Sequence, residues 1–225
     1  MAEEKENVTE NIKNSISDFE QIFENNKKAI AIGGGVLALI VIGVIYLFVQ
    51  YLPEQNLKAQ KAMYMAEFAF AKDSFELALK GNAAHKGFEE IADKYSITKA
   101  GKLAHYYAGI CNLQLKKYDN AIKHLDKFST DDAIIGALRL NALGDAYAEK
   151  GNMAEASSYY QKAADFSDNE SYTPYFLFKT GLSLEYQKKY AEAQKCYQSV
   201  RDRYPNSDEG RDIEKYIARV EAGAK

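Results

Sequence analysis

The chain has 225 residues, 47% of them apolar, and carries a net charge of −3 from 29 basic and 32 acidic side chains. That is enough apolar material for one ordinary domain or one and a half. The near-balanced charge leaves no basic footprint for a nucleic-acid partner. Three prolines, no tryptophan and a shortage of alternating β-branched runs argue against sheet and predict an all-α fold.

The charge is unevenly spread. Residues 1–28 hold 4 basic and 7 acidic side chains, which accounts for the whole imbalance. Ile12, Ile16, Phe19, Ile22 and Phe23 recur there at helical spacing. They suit either a short amphipathic helix on a membrane surface or partner, or a solvated acidic tail. Residues 29–52 contain no charged side chain, and no strongly polar one before Gln50. At 1.5 Å per residue this stretch exceeds a hydrocarbon core of about 30 Å. Tyr46 and Tyr51 lie toward one end, as in an interfacial belt, and Pro53 ends or kinks the helix. The preceding tail is too long and acidic for a signal-peptide n-region, and no small-x-small site follows. The expectation is an uncleaved, single-pass anchor in contact with the lipid bilayer. Lys27 and Lys28 abut one end and Glu54 the other, which places the N-terminus in the cytoplasm. Gly34 with Ala38, and Ala31 with Gly35, would admit a second helix closely, although glycine is common in membrane helices anyway.

Residues 53–101 read as a linker helix and a degenerate first helical hairpin. One long helix carries Ala62, Phe68, Phe75 and Leu79. A second runs through Phe88, Ile91 and Tyr95, after an irregular connection at residues 81–86. From 102 to 205 a pattern repeats three times. Its clearest copy is 137–170, where Leu140, Leu143, Gly144 and Tyr147 are followed by Ala156, Tyr160 and Ala163. Large residues three and four apart share a helix face, and the small ones let two antiparallel helices approach. Gly151 and Asn152 suit the turn between them. This large–small–large spacing resembles a tetratricopeptide repeat. Downstream, Leu177, Gly181, Leu184, Ala193, Tyr197, Val200 and Pro205 match it. Upstream, Ala108, Gly109, Ala121, Leu125 and Phe128 match, although large residues are replaced by His105 and Asn112. Residues 206–225 supply a capping helix striped by Ile213, Tyr216, Ile217 and Val220, plus the C-terminal tail. Such an array needs a cap for its last apolar face. The predicted architecture is a single N-terminal transmembrane helix followed by a tetratricopeptide-repeat α-solenoid.

Nothing points to catalysis. His85, His105 and His124 have no partner at metal-ligand spacing, and no nucleophile elbow, Walker loop or dinucleotide fingerprint occurs. Acidic neighbours such as Glu89–Glu90 and Asp131–Asp132 read as solvated surface. Cys111 and Cys196 fall in different repeats without a CxxC partner and read as small buried residues. The expectation is therefore no cofactor, no metal, no small-molecule substrate and no enzyme.

What remains is protein binding. In such repeats the first helices line a groove through their second, fifth, ninth, twelfth and thirteenth positions. Here these are Leu103, Tyr106, Ile110, Leu113 and Gln114; then Leu138, Asn141, Asp145, Ala148 and Glu149; then Tyr175, Phe178, Leu182, Glu185 and Tyr186. The expected groove is apolar and aromatic at both ends with an acidic middle. Some of these side chains could equally pack against neighbouring repeats. Repeats that clamp C-terminal carboxylates carry Lys and Asn at the fifth and ninth positions, and Tyr106/Ile110, Asn141/Asp145 and Phe178/Leu182 do not supply them.

The acidic tail ending in Phe23–Lys28, the single span, a long helix and a repeat array together resemble the bacterial YfgM-like proteins, ancillary subunits of the SecYEG translocon. The segments beginning Asp73-Ser-Phe-Glu and Lys99-Ala-Gly-Lys resemble the Bacteroidota version. The resemblance implies a single-pass protein of the bacterial inner membrane with a periplasmic repeat domain. It implies as partners translocon subunits, exported polypeptides or periplasmic chaperones. A fixed scaffold in an envelope complex, or a cytosol-facing import receptor of inverted topology, are the alternatives.

Overall fold

A computed structural model describes residues 25–29, 31–166 and 168–224. The acidic stretch with Ile12, Ile16, Phe19, Ile22 and Phe23 lies outside the described residues. The chain divides into two compact units, Met1–Glu54 and Gln55–Lys225.

Helical residues at the start form Asn25–Phe70, which is long and apolar enough to cross a membrane. Pro53 has no N–H to donate, so an α-helical bond is lost one turn before it. The helix meets this locally with a π turn at Leu47–Tyr51, where the Leu52 N–H reaches back five residues to the Leu47 carbonyl. Proline therefore neither ends the helix nor breaks its direction of bonding.

The second unit is built from α1 (Leu52–Phe70, whose first residues belong to the first unit), α2 (Phe75–Lys80), α3 (Phe88–Lys94), α4 (Lys99–Gln114), α5 (Tyr118–Lys127), α6 (Ala133–Glu149), α7 (Met153–Phe166), α8 (Thr173–Tyr186), α9 (Tyr190–Arg203), α10 (Asp208–Arg211) and α11 (Ile213–Gly223). Among the described residues there is no strand; one isolated antiparallel bridge joins Gly81 to Lys86. The fold is an all-α solenoid of helical hairpins closed by a C-terminal capping helix.

One turn is used four times. At Asp73, Lys116, Gly151 and Lys188 the backbone is left-handed, with φ of 54°, 59°, 80° and 61°. Each of these residues donates to a carbonyl three residues back, and its successor donates to one five residues back: Asp73 to Phe70 and Ser74 to Ala69, Lys116 to Leu113 and Lys117 to Asn112, Gly151 to Ala148 and Asn152 to Tyr147, Lys188 to Glu185 and Lys189 to Leu184. That pair of bonds satisfies carbonyls left open at a helix end. The turn ends α1, α4, α6 and α8, and each hairpin begins its second helix two residues after the left-handed one.

The first of these turns corrects the expectation of one long helix through Phe75 and Leu79. The first helix stops at Phe70, and Phe75 and Leu79 belong to α2. The second helix of this hairpin is itself divided, into α2 and α3, around the loop at residues 81–87. Gly81 is left-handed (φ 73°), and a Cβ there would collide with the backbone of Lys86. The buried stripe of α1 also differs: Ala59, Met63, Ala66 and Ala69 face inward, whereas Phe68 is 49% exposed. Instead Phe70, Phe75, Phe88 and Tyr107 form the aromatic cluster of this hairpin, with Phe88 stacked on Tyr107 at 4.9 Å and Phe70 edge-on to Tyr107 at 5.2 Å.

Each later hairpin is closed by a glycine facing a large side chain. A Cβ on Gly109 would come within 3.0 Å of Leu125, one on Gly144 within 3.0 Å of Tyr160, and one on Gly181 within 3.0 Å of Tyr197. Leu125, Tyr160 and Tyr197 are all buried. Two large core clusters result. One joins α1–α4 from Ala59 to Cys111, and the other joins α6–α11 from Ala137 to Val220. Leu125, Ala142 and Leu143 bridge the middle. In the cap, Ile213, Ile217 and Val220 are buried against α9, with Tyr216 beside them.

Gly144→Ala is expected to lower stability by about 1–3 kcal/mol, because the added methyl overpacks against a buried ring. Urea unfolding of the full chain in detergent, followed by tyrosine fluorescence, measures this; an unchanged midpoint would place the interlock elsewhere.

Candidate protein-interaction face

The positions expected to line a groove lie on α4, α6 and α8, and the structure divides them into three settings. On α4, Leu103 packs against the first core cluster, while Tyr106 and Ile110 pack against Leu125, Ala142 and Leu143. Tyr106 is half-buried, its ring 5.4 Å from Phe128 and 5.8 Å from Tyr107. Burial holds its hydroxyl above the usual tyrosine pKa. These side chains complete the joint between hairpins and leave only part of their surface open.

The middle is a hydrogen-bonded cluster instead of an open acidic patch. Lys179, from α8, forms an ion pair with Asp145 of α6 and donates to Asn141 Oδ1 at 3.0 Å. Asn141 Nδ2 in turn donates to Asp145 Oδ2 at 3.3 Å, and the Tyr160 hydroxyl donates to Asp145 Oδ1 at 2.6 Å. The Lys179 ammonium also lies 4.4 Å over the Tyr160 ring and 5.0 Å over that of Tyr175. Burial raises the Tyr160 pKa first, and the Asp145 charge raises it further, so this hydroxyl stays a donor at any physiological pH. Nearby, Glu149 accepts from the Tyr118 hydroxyl at 2.8 Å. The acidic middle is thus matched by a lysine and two phenols.

On α8, Phe178 is half-buried beneath the cap, 4.7 Å and edge-on from Tyr216 and 6.0 Å from Tyr197. Glu185, beside it, is held by Arg219 of α11 at 2.6 Å and by the Tyr197 hydroxyl at 3.0 Å. Tyr175, Leu182 and Tyr186 remain exposed, at 42%, 37% and 74%. With Lys179 they recur at spacings of four, three and four, so they form one stripe along α8. The structure therefore joins Asn141, Asp145 and Tyr175 through Lys179, and leaves Leu182 and Tyr186 as the open apolar continuation. Lys179 lay outside the positional reading, which follows fixed repeat positions. An isolated Lys between aromatic neighbours, facing Asp145 one repeat earlier, was the available signal.

The histidines and cysteines sit apart from this face. His105 is buried and meets His124; His85 lies in the loop after α2. Cys111 and Cys196 are both buried, free thiols. Burial pushes their pKa values up to about 12 and about 11. Among the described residues, no group of three or more His, Cys, Asp or Glu side chains is arranged to hold a metal ion.

Two hairpins carry a recognisable family signature. A family model for the tetratricopeptide repeat matches residues 103–132 and 175–207. These segments are tetratricopeptide repeats. The matches cover α4–α5 and α8–α9, and the hairpin between them, α6–α7, has the same left-handed turn and the same glycine–tyrosine interlock. A search of curated proteins returns no match.

Lys179→Met is expected to destabilise the chain by about 1–3 kcal/mol, since it leaves a partly buried Asp145 without its cation. Tyr160→Phe should cost about 1 kcal/mol, the net worth of one hydrogen bond. A double-mutant cycle by urea unfolding checks both; strict additivity would show that the two do not share Asp145.

Proposed function

We propose that this protein is a membrane-anchored, non-enzymatic interaction module that holds polypeptides or protein partners beside the membrane. Support comes from two sides. Tetratricopeptide repeats are protein-binding scaffolds, and the helix Asn25–Phe70 has the length and composition of a span. The single observation that carries the binding face is the stripe of Tyr175, Leu182 and Tyr186, aromatic and aliphatic side chains left open on a rigid helix whose other charges are internally paired. Rigid aromatic side chains give large contact area at low entropy cost and are enriched among interface hot spots. Leu103, Tyr106, Ile110, Asn141, Asp145 and Phe178 shape and support this face, with Tyr186 and Leu182 as its most open part.

The proposed setting is the bacterial inner membrane, with the N-terminus cytoplasmic and the repeats periplasmic, next to the Sec translocon. This rests on Lys27 and Lys28 at one end of the apolar stretch and on the resemblance to YfgM-like proteins. Partners in that setting are translocon subunits, exported polypeptides or periplasmic chaperones.

Two experiments test the reading. A photo-crosslinking residue at Tyr186 or Leu182 in living cells is expected to capture translocon subunits or secretory chains; exclusive recovery of cytosolic proteins overturns the setting. For topology, Lys188→Cys introduces an exposed thiol at the turn after α8. The native thiols are buried and held protonated, so labelling of whole cells by a membrane-impermeant maleimide reports this site alone. Labelling before lysis is the expected result, and labelling only after lysis would place the repeats in the cytosol.

A further inference from the structure

Two imidazoles face each other inside the second hairpin. His105 of α4 is 3% exposed, and the His124 side chain of α5 is 12% exposed. Their Nδ1 atoms stand 3.0 Å apart, with ring centroids separated by 5.2 Å. At that distance one Nδ1 must carry a proton and the other must present its lone pair. His124 Nε2 points toward Glu89 Oε1 of α3, 4.0 Å away. That carboxylate favours a proton on His124 Nε2, which leaves His124 Nδ1 bare to accept from His105 Nδ1–H. The pair thus bonds α4 to α5 at a place where a repeat of this kind has an apolar side chain.

The proton count decides what this bond tolerates. With no extra proton the bridge is a neutral N–H···N bond. One extra proton makes one ring an imidazolium, and the bridge survives as a charge-assisted bond. A second proton puts N–H on both facing nitrogens and two positive charges within 3.0 Å of each other. No tautomer restores the bond. We propose that His105 and His124 form a proton-operated latch that holds α4 against α5 and releases them when both rings are charged.

The surrounding charges fit a latch that is closed at neutral pH. From α3, Glu89 and Asp93 favour the charged rings; from α5 itself, Lys123 and Lys127 oppose them. Lys80 of α2 is ion-paired with Glu89 and so dilutes its effect on His124. From α6, Arg139 is taken up by the Leu125 carbonyl and Asp126. Burial dominates at both rings. It lowers the His124 pKa, and together with the His124 charge it brings His105 down to about 4. The folded pKa values thus lie below the unfolded value of about 6.5. The latch stabilises fully above that unfolded value, and its contribution falls as pH drops from about 6.5 toward about 4. The latch does not rest on the groove reading. If that reading holds, release also displaces Leu103, Tyr106 and Ile110, which ride on α4.

Amide hydrogen exchange of the full chain in detergent, between pH 7.5 and 3.5 and corrected for intrinsic rates, tests the latch. Protection in α4 and α5 is expected to fall at least tenfold near pH 4, while α8 and α9 keep theirs. His105→Asn retains a donor to His124 Nδ1 but cannot be charged, and it should abolish the local loss. Glu89→Gln removes a charge that favours the protonated rings, so it should move the imidazole titration to lower pH. An unchanged transition in His105→Asn overturns the proposal. Should that variant not fold, imidazole nitrogen-15 spectra of the wild type decide: two independent titrations near the free-histidine value overturn the latch, and two coupled steps below it support the latch. Crosslinking from Tyr186 reads the groove separately, so the two readings fail by different measurements.

Discussion

The close approach of two helix backbones over a glycine is the constraint from which the array follows. Gly109, Gly144 and Gly181 each sit where a methyl group would strike a buried Leu125, Tyr160 or Tyr197. A large side chain from the second helix fills the space that the missing Cβ leaves, so the helix separation is set by one ring or one isobutyl group. Fixing that separation also fixes where the first helix points its outward positions. The four left-handed turns do the complementary work along the chain. They end each first helix with its carbonyls satisfied and start the second two residues after the left-handed one. Interlock and turn together make successive hairpins near copies, and near copies stack.

Stacking has a consequence for the interaction face. Adjacent first helices lie close enough that a lysine on α8 reaches a carboxylate on α6, and the Lys179–Asp145–Asn141–Tyr160 cluster forms. The cap repeats this device, with Arg219 on Glu185. Charges that the linear sequence spreads along the face are therefore spent on holding hairpins in register. What they leave unpaired is apolar and aromatic: Tyr175, Leu182 and Tyr186. Such a face offers buried area more than field, in keeping with the proposed binding of polypeptides.

Much of this was legible from spacing. The glycine–tyrosine pairs at 144/160 and 181/197, the turn at Gly151 and the cap stripe through Ile213, Ile217 and Val220 are local patterns, and local patterns survive translation into structure. The break at Asp73 was not legible, because left-handed backbone usually announces itself through glycine or asparagine. Three of the four turns here use Asp or Lys instead, and only the tertiary demand to fold the second helix back enforces them. The inward stripe of α1 was misread for a related reason. Phe68 is the larger residue, but Ala59, Met63, Ala66 and Ala69 are the ones buried in the first core cluster. At the face, position alone could not tell that Phe178 would be taken up by Tyr216, since that contact depends on a helix nearly forty residues later.

The second hairpin departs from its neighbours in a way that bears on dynamics. Where apolar bulk is expected it has His105 and Asn112. His105 meets another histidine, and Asn112 donates to the Ala108 carbonyl of its own helix. Asn112 Oδ1 is buried and, among the described residues, has no hydrogen-bond partner. An unsatisfied buried acceptor costs about 1–3 kcal/mol, and a histidine bridge is worth less than the interlocks it sits beside. In a solenoid each hairpin leans only on its neighbours, so such a deficit stays local and is not averaged over the domain. The α4–α5 hairpin is thus the expected point of first opening, between a better-packed pair on one side and the α6–α11 cluster on the other. Because one of its two substitutions titrates, that opening is tied to proton concentration, whereas the Gly144–Tyr160 and Gly181–Tyr197 interlocks are held by packing that protons do not touch.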